Sequence, residues 1–314
     1  MKVIKLFLDG VPSDYASGLV PLVIQQLGYK IQWCPYAVAD LTIVGPFHHQ
    51  SKPMRFIPKP LRPFASMVRD VMPIKRKNSP LTLFHTQENV RHNAIEADFS
   101  ISFDLGVSNN NHLRLPYWME MINWSHEGLT ENTNPRYGRL LSLERLMQPL
   151  GRDFQYRPQK MAMITSHLNE PRKMLYEHLS SFLPIDGFGP YFDKNIRSHH
   201  QSNFTKYDLL QQYAFNLCPE NSIYPGYITE KIPEAFGAGC VPITWVDSNV
   251  ACDFNPQAMM NVMPMVHEGF SSFEEFLNST DQLQQISQES LIIDRPTLDP
   301  LKNFIQEILR QACS

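Results

Sequence analysis

Residues 213–245 read YAFNLCPENSIYPGYITEKIPEAFGAGCVPITW, and the rest of the chain is arranged around them. Ala214, Phe215, Asn216, Leu217 and Cys218 form a short, mostly apolar run between polar neighbours, the pattern of a buried strand. Pro219 to Ile228 reads as a loop, with Pro225 and Gly226 as its turn formers. Thr229 is placed to cap a helix that carries Glu230 and Lys231 in its first turn, with Pro233 early enough to be tolerated. Gly237 and Gly239 end that helix, and Val241 to Trp245 restarts a strand. Strand, polar loop, helix and strand make one βαβ unit. Such units place ligands at the carboxyl ends of their strands, beside a helix terminus that favours anions.

The loop is unusually rich in recognition chemistry. Glu220, Asn221, Ser222, Tyr227, Glu230 and Lys231 lie close together directly after a strand. Carboxylates accept from sugar hydroxyls, Asn and Ser donate or accept, and Lys brings a positive charge to phosphate. Taken singly, Glu230 or Lys231 is explained by the solvated face of a capped helix. As a set they point to a sugar nucleotide. The pattern FNLCPENS…GYITEKIPEAFGAGCVPITW closely resembles the donor-site motif of the α-1,3/4-fucosyltransferases (glycosyltransferase family 10), which use GDP-fucose. The matching positions are Phe215, Glu220-Asn221-Ser222, Tyr227 to Lys231 and Gly239 to Ile243, followed by Asp253 to Pro256 and Asn261-Val262. So many fixed spacings are far more specific than a lone glycine-rich loop.

Working outward, Val3 to Leu8 reads as a first strand, Ala16 to Leu27 as a helix stopped by Gly28, and Ile31–Cys34 and Leu41–Val44 as further strands. This alternation predicts an α/β domain with a largely parallel sheet. Leu81–Thr86 is the next strand and delivers Gln87, Glu88 and Asn89 at its carboxyl end, before strands at Asp98–Asp104 and Leu113–Trp118. That block resembles the family's second signature, whose glutamate is the general base. The match assigns this role to Glu88, with Gln87 standing where bacterial relatives usually carry glycine. Glu96, eight residues on, is the rival carboxylate. Past a helical stretch at Leu140–Leu150, Met161–Ser166 opens a second domain as a strand. A helix then starts at Pro171 with Arg172 and Lys173 in its first turn. Cations there oppose the helix dipole, which makes sense beside an anion. In the resembled family an arginine at this point contacts the donor pyrophosphate, and Arg172 matches it. Asp186 to Asn203 reads as a loop. Leu301, Phe304, Ile305, Ile308 and Leu309 give a final helix with one apolar stripe.

Composition narrows the field. The 314 residues suffice for two domains, and 43% hydrophobic with 19% charged residues marks a globular chain. A formal net charge of −3 argues against a nucleic-acid partner. The five cysteines, Cys34, Cys218, Cys240, Cys252 and Cys313, are scattered without paired or metal-ligand spacing. Neither a disulfide framework nor a metal site is expected, and His48-His49 and His199-His200 read as surface or hydrogen-bonding residues. MKVIKLFLDG is too short an apolar run for a signal peptide or membrane anchor, so a cytoplasmic protein of the bacterial type is expected. Residues 52–77 hold eight Lys and Arg against Asp70 alone. A solvated loop is the simpler account of them. A peripheral contact with the anionic inner membrane is the alternative.

The resemblance implies an α/β fold of GT-B type, two Rossmann-like domains facing across a cleft. Residues 1–152 would bind the acceptor, 153–296 would bind GDP-fucose, and 297–314 would be a helix crossing back to the first domain. The implied reaction is inverting transfer of L-fucose to an oligosaccharide acceptor in glycan or lipopolysaccharide biosynthesis, onto O3 of N-acetylglucosamine or glucose. Arg172 and Lys231 would neutralise the pyrophosphate, Glu230 and Tyr227 would hold the ribose and adjacent phosphate, and Glu220, Asn221 and Ser222 complete the donor set. No cofactor is required on this reading, a divalent cation at most stimulating transfer. The alternatives are a GT-B enzyme for another nucleotide sugar and a non-catalytic carbohydrate-binding protein.

Overall fold

The computed structural model describes residues 1–48, 79–130, 137–193 and 205–313. The basic stretch 52–77 and His49, His199, His200 and Asn203 lie outside them. Two compact units divide the chain: Met1–Leu115 with Leu298–Ser314, and Pro116–Thr297.

In the first unit, β1 (Lys2–Asp9), β2 (Tyr29–Trp33), β3 (Leu41–Val44), β4 (Leu81–His85), β5 (Phe99–Ser102) and β6 (His112–Arg114) form a sheet in the order β2-β1-β3-β4-β5-β6. Every pairing is parallel. All residues of β3 and β5 are buried, as expected of inner strands of a parallel sheet covered on both faces. The first helix is Leu19–Gln26, and Gly28 follows it at φ +86°, a left-handed conformation that glycine adopts without strain. The last helix, Asp299–Ala312, packs on that first helix. Its Leu301, Ile305, Ile308 and Leu309 are buried, while Phe304 meets the ring of Phe99 edge-on at 5.8 Å.

In the second unit, β7 (Met161–Ile164), β8 (Ile185–Phe188), β9 (Phe215–Leu217), β10 (Val241–Thr244) and β11 (Met260–Asn261) form a parallel sheet in the order β11-β10-β9-β7-β8. Strand β8 falls within the stretch expected to be a loop from Asp186. Asp186 and Gly187 carry little strand preference, and pairing with β7 at the sheet edge supplies the order. Gly187 is needed there, because a Cβ would stand 2.4 Å from the Phe192 ring.

The expected boundary at residue 152 falls instead at Leu115–Pro116. Residues 116–130 and 137–152 are sewn into the second unit by contacts that composition does not announce. The Tyr137 hydroxyl donates to the Glu234 carbonyl at 2.8 Å. Leu291 N–H donates to the Leu146 carbonyl at 3.0 Å, and the Trp118 and Phe254 rings lie 5.1 Å apart. The helix expected over 140–150 shrinks to a single turn, Leu143–Leu146.

Candidate functional site

Beyond β9 the backbone keeps running beside β10: Cys218 N–H donates to the Ile243 carbonyl at 2.8 Å and Glu220 N–H to that of Trp245 at 3.1 Å. This extension carries Glu220 into the interior, where it has no solvent-accessible surface. A buried carboxylate needs hydrogen-bond donors. Thr229 N–H lies 2.8 Å from one carboxylate oxygen, the Thr229 hydroxyl 2.9 and 2.8 Å from the two, and Lys231 Nζ 3.0 Å from the second. Lys231 Nζ also donates to the Thr229 hydroxyl at 2.8 Å and stands 4.0 Å from Glu230.

One expectation changes here. Thr229 does not cap a helix, because its side chain is committed to Glu220; the helix runs Lys231–Gly237 with Glu230 at its cap position. Both Glu220 oxygens accept within the network, and the carboxylate thereby holds Thr229 and Lys231 in place.

Arg172 opens the helix Arg172–Leu179 and is itself buried. It donates to the Thr165 hydroxyl, just past β7, at 3.2 Å, and to the side-chain oxygen of Asn221. Thus the ends of β7 and β9 are tied together through Arg172 and Asn221. Burial disfavours the charge of Arg172, while Glu220, Tyr227 and Glu230 favour it. Burial likewise opposes the Lys231 charge, but Glu220 and Glu230 outweigh it and raise its pKa. Burial also works against ionised Glu230, yet Lys231 and Lys206 hold its carboxyl below the usual range. His167, beside Arg172, is kept neutral more firmly than usual by burial and by that guanidinium. Tyr227 is buried, Ser222 partly so, and Asn221 exposed.

Lys206 and Glu234 escape the sequence reading. They form an ion pair in which Glu234 is buried and Lys206 partly so. A signal existed: Glu230 and Glu234, four apart on one helix face, repel each other unless a cation lies near.

In the first unit Glu88 is exposed on the loop after β4. Glu88 N–H donates to the Thr86 hydroxyl at 3.1 Å, and that hydroxyl lies 3.1 Å from the Glu88 carbonyl. Glu96 is exposed as well, so burial does not choose between the two carboxylates. The loop is braced by Asp104, which is buried and accepts from Ser102 at 2.7 Å, from His92 N–H at 2.7 Å and from Arg91 at 3.3 Å. The Arg91 guanidinium also sits 4.3 Å from the Phe103 ring centre. Among the described residues no group of three His, Cys, Asp or Glu side chains is arranged to hold a metal, and no helix is long and apolar enough to cross a membrane.

Two parallel-sheet units, with a strand-end network of paired cations and carboxylates, define an α/β protein whose second unit is suited to an anionic ligand. Residues 154–289 match the family profile of glycosyltransferase family 10 (fucosyltransferase), C-terminal part. It is 31% identical over 246 residues to the alpha-(1,3)-fucosyltransferase FucT of Helicobacter pylori, covering 72% of this chain and 50% of that protein. It is 29% identical over 129 residues to the putative fucosyltransferase R654 of Acanthamoeba polyphaga mimivirus, covering 38% of this chain and 20% of that protein. The chain therefore spans about half the length, or less, of these curated relatives. Crystal structures of alpha1,3-fucosyltransferase with GDP-fucose and with GDP superpose with TM-scores of 0.63 and 0.64, at 21% and 22% identity. They cover 99% of this chain and 90% and 89% of theirs. The fold is of GT-B type.

Proposed function

We propose that this protein transfers L-fucose from GDP-fucose to a hydroxyl of a glycan acceptor, with inversion at the anomeric carbon. The observation that carries the reading is the network in which Glu220 and Thr229 hold Lys231 while Asn221 and Thr165 hold Arg172. Two cations fixed past neighbouring parallel strands suit a pyrophosphate, and the second unit is the one assigned to the donor. The family and the solved relative with GDP-fucose favour GDP-fucose over other nucleotide sugars.

The acceptor oxygen attacks the anomeric carbon as Glu88 takes its proton, and the bond from that carbon to the phosphate oxygen breaks. GDP leaves with an added negative charge. Arg172 and Lys231 stabilise that charge more as it grows, which lowers the barrier rather than merely tightening binding. Because these cations neutralise the leaving group, the mechanism includes no required metal. Glu230 and Tyr227 are assigned to the ribose and neighbouring phosphate, and Ser222 to shaping the loop. The alpha-(1,3) relatives favour O3 of N-acetylglucosamine or glucose as the target, in a glycan or lipopolysaccharide pathway.

The test is calorimetric titration of GDP-fucose with EDTA present, against GDP-mannose and a UDP-sugar. Selective GDP-fucose binding is expected. Preference for another nucleotide sugar overturns the reaction but keeps the cation roles, and no binding of any of them overturns both.

A further inference from the structure

The second unit has another cavity, of about 340 Å³. Its walls come from segments that precede strands: Asp153 and Arg157 lie ahead of β7, Tyr207 and Gln211 ahead of β9, and Gly237 to Gly239 ahead of β10. Glu220 and Lys231 lie past the carboxyl end of β9. The cavity therefore sits at the amino-terminal edge of the sheet, away from the network described above.

Arg139, Arg145 and Arg157 line this cavity against one carboxylate, Asp153. Two of the three are fixed by neutral carbonyl groups. Arg157 donates to the carbonyls of Tyr213 at 3.2 Å and Ala238 at 3.0 Å, and Arg145 to those of Pro149 and Leu150, each at 2.9 Å. Such bonds orient a guanidinium without cancelling its charge. Arg139 lies 3.6 Å from the Tyr207 ring centre, and Gln211 donates to the Tyr207 hydroxyl at 2.8 Å. A guanidinium held by stacking keeps its N–H edge for an acceptor in its own plane. Gly239 leaves room for Arg157, whose Nη2 would be 2.6 Å from a Cβ there. Burial makes the Arg145 charge costly and nearby Arg157 adds repulsion, both of which an oxyanion would relieve.

We propose that this cavity binds a phosphorylated small molecule of about hexose phosphate size, its phosphate held by the N–H edge of Arg139 beside the fixed charges of Arg145 and Arg157. Three cations less one acid leave a charge of two, matching a phosphomonoester, which carries about −1.5 to −2 at neutral pH. The volume falls at the small end of the range for small-molecule sites, roughly 300–1,000 Å³. Forked guanidinium donors favour phosphate oxygens over neutral hydroxyls.

The experiment is calorimetric titration of glucose 6-phosphate and of glucose into the full chain in a phosphate-free buffer. Glucose 6-phosphate is expected to bind and glucose not. Arg139→Glu should weaken binding about tenfold or more, and Lys231→Ala should leave it unchanged. Gln211→Glu, at an exposed position, brings a repelling charge to the same wall and should weaken binding in the same direction, so the test survives if the arginine variant fails to fold. Absence of saturable binding overturns the proposal. So does binding abolished by Lys231→Ala and untouched by both cavity variants, since the phosphate would then sit in the nucleotide network.

Discussion

Glu220 shows what one side chain does by being inaccessible. Glu220→Ala leaves Lys231 without its closest carboxylate and Thr229 without its acceptor. Breaking a buried pair in this way costs about 3–5 kcal/mol. A lower denaturation midpoint and faster amide exchange at Thr229 are the expected readouts. Lys231→Ala and Arg172→Ala should instead weaken GDP and GDP-fucose binding, and unchanged affinity in calorimetry would remove them from the phosphate role. Glu88→Gln should abolish transfer while donor binding stays nearly intact; if Glu96→Gln is the inactive variant instead, the base is Glu96. Glu230 also predicts a pH effect. Its carboxyl titrates lower in the folded protein than in the unfolded chain, so its contribution to stability is present above the unfolded value of about 4.3 and fades as the pH falls through the folded one. Glu230→Gln should flatten the acid limb of a stability–pH curve. Which residue types gather in this loop was legible from spacing. Which of them turn inward was not, since burial depends on the continuation of β9 alongside β10.

At the scale of elements, the hydrophobic stripe from Leu301 to Leu309 was plain because a 3.6-residue period survives without any knowledge of the partner. Its burial follows that stripe, and Ile305→Ala should cost roughly 2–4 kcal/mol in chemical denaturation. A change under 1 kcal/mol would mean the helix is loosely attached. The inner strands were equally readable as apolar runs, whereas β8 was not. An edge strand that contains Asp186 and Gly187 owes its form to β7, and no local pattern reports a neighbour supplied from elsewhere.

For the molecule as a whole, the α/β character and the parallel sheets followed from alternating strand and helix patterns, but the unit boundary did not. The described residues 116–130 and 137–152 hold little regular structure, and their place in the second unit rests on long-range bonds such as that of Tyr137 to Glu234. Removing residues 298–314 should raise amide exchange across β1 to β6 and leave β7 to β11 protected. Uniform loss of protection would show that the two units unfold as one.

The return of the last helix to the first unit also orders events during synthesis. When the ribosome has emitted residues up to 297, the second unit has every strand and helix it needs. The first, although made earlier, still exposes the apolar face that Ile305 and Leu309 will cover. Of these two units, the one translated first therefore completes its fold after the other, and until residues 298–313 emerge that face is open to chaperones and to aggregation.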